Sequence, residues 1–235
     1  KALTRLVLGF GLAFSDVDND GLLDVVQANG HVTDMSPQVP FAMSAMLMRG
    51  EGGGRLRDVS ASAGDPWTVK RLGRGLAVGD LDNDGKLDVL IASSGGPLAY
   101  FHNQGPVGDY LTLKLEGATP GSNRDAVGAV ATAVVGGRRQ IVPRIGGGSY
   151  LSASDDRIHF GLGTATRVDA VEVRWPSGRV GGTLAGFGER PLIAGRFPNQ
   201  PDTLVQWLRD APSLDPSTGM PALPLTEAEA RDVAA

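Results

Sequence analysis

Cysteine is absent from all 235 residues, which excludes disulfides and thiolate sites from this chain. No apolar run approaches the roughly 20 residues a bilayer-spanning helix needs. Clustered basic charge is missing too. The formal charge is −4, and eight aspartates in two short stretches contribute −8, leaving +4 spread over the remainder. A nucleic-acid footprint needs Lys and Arg gathered in stripes, so nucleic acid is not an expected partner. No signal peptide opens the chain, which begins at Lys1 rather than Met and closes inside a helical pattern. It is therefore expected to be a mature or partial piece of something longer. Glycine is what the chain has in excess: 34 residues, pointing to turn-rich β structure rather than helices.

One stretch occurs twice. Residues 11–28 read GLAFSDVDNDGLLDVVQA and residues 75–92 read GLAVGDLDNDGKLDVLIA, identical at 12 of 18 positions. Each copy places four carboxylates within nine residues: Asp16, Asp18, Asp20 and Asp24, then Asp80, Asp82, Asp84 and Asp88. Like charges so close repel unless a cation sits between them. Carboxylates at positions 1, 3 and 5 followed by Gly have the oxygen spacing that calcium favours, and the carbonyls of Leu22 and Lys86, at position 7, are further candidate ligands. An EF-hand is excluded because position 12 holds Gln27 and Ile91 instead of Glu, and because short β-branched runs follow the loops instead of helices. The carboxylate at position 9 closes the set instead. A metal-free Asp/Asn/Gly turn is the alternative, and repetition in the same strand context favours two calcium sites over it.

The pattern D-x-D-x-D-G-x-x-D between such strands resembles the FG-GAP or VCBS repeat of integrin-type β-propellers. That resemblance implies a loop joining two strands of a blade, with calcium held by the aspartates at positions 1, 3, 5 and 9. The segment 47–64, LMRGEGGGRLRDVSASAG, resembles the strand, glycine turn and ending of the same repeat, with Leu56 where Phe is usual. Asp16 and Asp80 are 64 residues apart, about the length of a four-stranded blade with its loops. Two blades cannot close a ring, so further blades precede Lys1 or the repeats pack on another domain or chain. Met43, Met46 and Met48 read as filling of irregular core gaps, with a soft binding face as the alternative. His31 reads as a surface loop residue, or as one that approaches a ligand.

From Asp109 the pattern becomes an alternating, glycine-punctuated β region, clearest over Ala129–Val135 and Val168–Trp175. The blocks SNRDAVGA (122–129), GGSYLSASDDRIHFGLG (147–163) and VDAVEVRWPSG (168–178) resemble the ASPIC/UnbV domain, which follows FG-GAP/VCBS repeats in secreted proteins. That resemblance implies a binding or adhesion module. Ser149, Asp155, Asp156 and His159 invite a Ser/His/Asp reading, but no G-x-S-x-G elbow surrounds Ser149. A turn at Asp156–Arg157 leading into a strand through His159 and Phe160 is the better reading.

The last 55 residues turn helical, with Leu204, Trp207 and Leu208 on one face, Pro212 and Pro216 ending the helix, and a capping box at Thr226 and Glu229. The run from Ala194 to Ala235 resembles the distal half of a class I cytochrome c, which maps an axial haem ligand onto Met220. Attachment of haem c needs C-x-x-C-H, which this sequence lacks. The cysteine-bearing half is thus expected in residues outside this sequence, joined near Val180–Gly182.

The expected architecture is mainly β: two propeller-type FG-GAP/VCBS blades (1–108), an antiparallel, sandwich-like ASPIC/UnbV domain (109–180) and a short cytochrome c-like helical segment (181–235). The expected function is a secreted, calcium-binding, non-catalytic binding or scaffold protein. It is extracellular or periplasmic, because such loops suit ~10⁻⁴–10⁻³ M calcium, and it meets protein partners or other subunits of an assembly. The alternative is electron transfer through haem c.

Overall fold

In the computed structural model, residues 7–117, 122–177, 180–181, 192–193, 197–198, 200–216 and 226–228 are described. The chain divides into two units, Lys1–Thr183 and Leu184–Ala235.

The first repeat forms a four-stranded antiparallel sheet from β1 (Gly9–Ser15), β2 (Asp24–Asn29), β4 (Met46–Gly50) and β5 (Leu56–Asp58), with β3 (Met43–Ser44) outside it. The link to the second repeat carries β6 (Lys70–Arg71), which pairs with β3. The second repeat forms a three-stranded sheet from β7 (Gly73–Gly79), β8 (Asp88–Ser93) and β9 (Ala99–Phe101). The sequence duplication is reproduced in detail: the register of β1 on β2 shifts between Gly9 and Leu12, and that of β7 on β8 between Gly73 and Leu76.

Both faces of β2 are covered, as its apolar run suggests. Val26 and Ala28 enter a core shared with Leu76, Val78, Val89, Ile91, Phe101 and Trp67 of the second repeat and its link. Val25, on the other face, packs with Met46 and Met48. The methionines are core residues; Met43, Met46 and Met48 are all buried. Burying one side chain such as Leu76 stabilises by roughly 1.5–3 kcal/mol. The two repeat sheets are blade-like, but the described residues form separate sheets of two to four strands and no closed propeller.

Residues 109–181 hold the remaining strands of this unit: β10 (Asp109–Leu113), β11 (Val130–Val135), β12 (Arg138–Pro143), β13 (Gly148–Ser149), β14 (Ser152–Ala153), β15 (Ile158–Gly163), β16 (Ala170–Arg174) and β17 (Val180–Gly181). Sheet β12-β11-β16-β17 and pair β10-β15 face one core, with Ala131, Ala133 and Val135 on one side and Ile158, Phe160 and Leu162 on the other. This is the antiparallel, sandwich-like arrangement that the alternation implies, and Trp175 is half-buried at its edge.

The repeats pack on this β domain. The hairpin β13–β14 lies against β1 and β7, the unpaired edges of the two repeat sheets. Ser149 Oγ accepts the Leu12 N–H at 2.8 Å, Ser154 Oγ accepts the Val78 N–H at 3.1 Å, and the Asp155 N–H donates to the Val78 carbonyl at 2.9 Å. Open strand edges invite pairing with other chains, and this hairpin satisfies part of both.

In the second unit, β18 (Leu192–Ile193) pairs with β19 (Phe197–Pro198), and α1 runs from Pro201 to Leu214. Pro201 sits at the first helical turn, where its missing N–H costs nothing. The buried face differs from the expected one: Trp207 and Ala211 pack with Leu204 and Leu214, and Leu208 is outside the cluster. Pro212 kinks the helix rather than ending it; Asp210 is non-helical (φ −152°, ψ 68°) and the helix resumes beyond. Met220, Glu229 and Gly182 lie outside the described residues. Among the described residues no helix is long and apolar enough to cross a membrane.

Candidate metal-binding loops

Each aspartate loop bridges the first two strands of its sheet and turns through left-handed residues at positions 4 and 6: Asn19 (φ 56°) and Gly21 (φ 81°), Asn83 (φ 60°) and Gly85 (φ 83°). Glycine and asparagine are the residues that accept this conformation at least cost, which is why D-x-D-N-D-G folds this way twice. The turn aims backbone N–H groups at the first carboxylate. Asp16 accepts from Asp20 N at 3.0 Å and Gly21 N at 2.7 Å; Asp80 accepts from Asp84 N and Gly85 N, both at 3.1 Å.

The ninth-position carboxylates are the most buried. Asp24 and Asp88 are 0% and 1% exposed. Asp24 accepts from Val17 N and from Gly50 N at 2.8 Å; Asp88 accepts from Leu81 N and from Asn103 N at 2.8 Å. Gly50 and Asn103 are equivalent: Gly50 closes the third strand of its sheet and Asn103 lies two residues past the third strand of the other. The residues before them are equivalent too, and they are basic. Arg49 pairs with Asp18 and lies 3.4 Å from Asp20, while His102 Nε2 lies 3.0 Å from Asp82 Oδ2.

In the first loop, oxygens of Asp16, Asp18 and Asp24 all lie within 4.8 Å of one another. Burial raises Asp16 to about 7 and Asp24 to about 6, and it raises Asp18, with neighbouring carboxylates adding to each shift. Asp18 Oδ1 is buried and has no hydrogen-bond partner. An oxygen-rich, dehydrated cluster with an orphaned carboxylate oxygen fits a hard divalent cation. Asp20 faces outward to Arg49 and accepts the Leu22 N–H at 2.7 Å.

The second loop is arranged differently. Ligand atoms of Asp82, Asp84 and His102 lie within 4.8 Å of one another on the exposed side, while Asp80 and Asp88 stay on the buried side. Asp84 accepts the Lys86 N–H at 2.9 Å, which holds its pKa low, and Lys86 Nζ lies 3.5 Å from it. Arg49 and His102 carry no local signal as site residues; aligning the third strands of the two repeats is what would have found them. The suspected Ser/His/Asp set is dispersed: Ser149 serves Leu12, Asp155 pairs with Arg157, and His159 bonds Asn19 and Thr112. His31 sits in its loop, bonded locally to Thr33.

The FG-GAP-like repeat family matches residues 16–91, and the ASPIC and UnbV family matches residues 119–182. The two matches follow one another along the chain, the repeat-like region first and the ASPIC- and UnbV-like region after it. It is similar to cartilage acidic protein 1 of Homo sapiens and of Mus musculus, each 29% identical over 195 residues and 81% of this chain. It is also similar to cartilage acidic protein 1 of Xenopus tropicalis, 30% identical over 148 residues and 61% of this chain. The chain spans under a third of those proteins, covering 28%, 29% and 22% of their lengths. Neither family match extends past residue 182, so the cytochrome-like reading of the tail gains no support from them.

Proposed function

We propose that the repeats and the β domain form a calcium-stabilised, non-catalytic binding or scaffold module that works outside the cell and engages protein partners. The observation that carries this is the first loop, where Asp16, Asp18 and Asp24 converge in a buried place and Asp18 Oδ1 has no partner. Asp16, Asp18, Asp20 and Asp24 are the residues to hold one ion, with the Leu22 carbonyl. Asp80, Asp82, Asp84 and Asp88, with the Lys86 carbonyl, are those to hold a second. A bound calcium supplies two positive charges that cancel carboxylate repulsion; the chain itself supplies the N–H groups that orient each carboxylate. The extracellular setting is supported by similarity to proteins named for cartilage. The binding role is supported by both family matches and by the dispersal of the only suspected catalytic set.

Titration calorimetry with calcium chloride, together with thermal melts in calcium and in excess chelator, tests the reading. The expected result is two bound ions per chain and a lower melting temperature in chelator. Identical melts and no heat of binding would show that the loops are simple turns.

A further inference from the structure

The outer side of both loops is held by the β domain, and mainly by strand β15 and the turn before it. Three successive carbonyls of the first loop accept from donors beyond the repeats' strands: Asp18 from Gly108 N at 2.9 Å, Asn19 from Gly163 N at 2.6 Å, and Asp20 from Arg138 Nη2 at 2.9 Å. The Asn19 side chain is fully buried. Its Nδ2 donates to the carbonyls of Gly85, in the second loop, and of Gly108, leaving Oδ1 to accept from His159 Nε2 at 2.8 Å. That fixes the proton on Nε2, so Nδ1 is free to accept from Thr112 Oγ1 at 3.3 Å. The ring also stacks on Tyr110, 7° from parallel.

The second loop is held from the turn just before that strand. Arg157 donates to Asn83 Oδ1 at 2.6 Å and to the Asp80 carbonyl, while Asp155 anchors its guanidinium at 2.8 Å. The position-4 side chain of each loop is therefore hydrogen-bonded by one side chain of the β domain: Asn19 by His159 and Asn83 by Arg157. Contact is close enough to dictate sequence. A Cβ on Gly161 would stand 2.1 Å from Asp16 Oδ2 and 2.5 Å from the Asn19 backbone, so only glycine fits.

We infer that the β domain sets the shape of both aspartate loops, so that ion loading and the order of β10 and β15 form one coupled equilibrium. Arg157 is the positioning residue for the second loop, and His159 with Arg138 for the first. This rests on the calcium reading above. Groups that orient metal ligands from behind typically change metal affinity by roughly 10–100-fold when removed. Linkage makes the effect reciprocal: whatever the β domain lends to ion affinity, the ion returns as stability of the β domain.

The test is hydrogen–deuterium exchange on the full chain with calcium chloride or with chelator, paired with calcium calorimetry on Arg157→Gln and Arg157→Lys. Expected are slower exchange of residues 109–113 and 158–163 in calcium, and weakening of one of the two sites by roughly 10–100-fold in Arg157→Gln. Arg157→Lys is expected to restore only part of the loss, since an ammonium cannot reproduce the fork to Asn83 and the Asp80 carbonyl. A purely structural arginine would lower the melting point and leave the site affinities alone. Calcium that binds the wild type without altering exchange in 109–113 and 158–163 overturns the coupling and spares the calcium reading; no binding by the wild type overturns both. The exchange measurement needs no variant, so it decides even if Arg157→Gln fails to fold.

Discussion

His159 and Asn19 lie 140 residues apart in the chain and meet at 2.8 Å, imidazole donor to amide acceptor, beneath the first aspartate loop. Burial pulls His159 down to about 4, so the imidazole stays neutral and suited to this single-donor role near neutral pH. Around that contact the two repeats and the β domain become one packed unit. The domain that follows the repeats closes their open strand edges and also touches the turns where their acidic charge is concentrated.

Asp18→Asn is expected to separate ion binding from folding. Its ionic partner, Arg49, is substantially exposed, so losing the pair costs the chelated protein no more than about 1 kcal/mol. In calcium, the variant loses the part of the ion-induced rise that belongs to the first loop. Differential scanning calorimetry under both conditions checks this, and an unchanged calcium increment would remove Asp18 from the ligand set.

The pH dependence of stability is expected to change sign with calcium. Carboxylates raised to about 7 (Asp16) and about 6 (Asp24) hold protons in the folded state that the unfolded chain has released. Their contribution is present near pH 4 and lost as pH rises through 6 and 7. His159, lowered to about 4, works in the opposite direction: its contribution is present above its ordinary value and lost as pH falls towards 4. In chelator the two carboxylates outweigh one imidazole and stability falls with rising pH. With calcium the carboxylates stay ionised, His159 dominates, and stability rises over the same range. Urea midpoints across about pH 4–7 test this; the same slope in both conditions would refute it.

Leu76→Ala is expected to cost about 2–5 kcal/mol, because Leu76 is 0% exposed in the core between the repeat sheets. Phe14→Ser, on a residue 64% exposed, is expected to change stability by no more than about 0.5 kcal/mol. Equal losses in chemical denaturation would place the core elsewhere.

Ser154→Ala is expected to cost about 1–3 kcal/mol by leaving the Val78 N–H without its acceptor at the edge of β7. Ser149→Ala, which releases the more exposed Leu12 N–H, is expected to cost less because water replaces the hydroxyl. If Ser154→Ala melts with the wild type, the hairpin is not a stabilising cover for that edge.

Much of the molecule was legible in the sequence. The duplication located both loops, and the short β-branched runs located β2 and β8 as strands, β2 buried throughout and β8 mainly on one face. Alternation located β11 and β16, and methionine content located core filling. Those features are local: side-chain period, ligand spacing and the glycine a left-handed turn requires are all written within a dozen residues. The tail is less legible: its prolines signal a helix end at Pro212, whereas the helix bends at Asp210 and continues to Leu214. Tertiary structure alone decided that Arg49 and His102 face the third loop position, that Asp20 turns outward while Asp24 is buried, and that Asn19 reaches both Gly85 and His159. It also decided that Gly161 must be glycine because Asp16 lies against it. Those roles depend on how separate sheets register against one another, and a facing surface 140 residues away leaves no period or spacing in the local sequence.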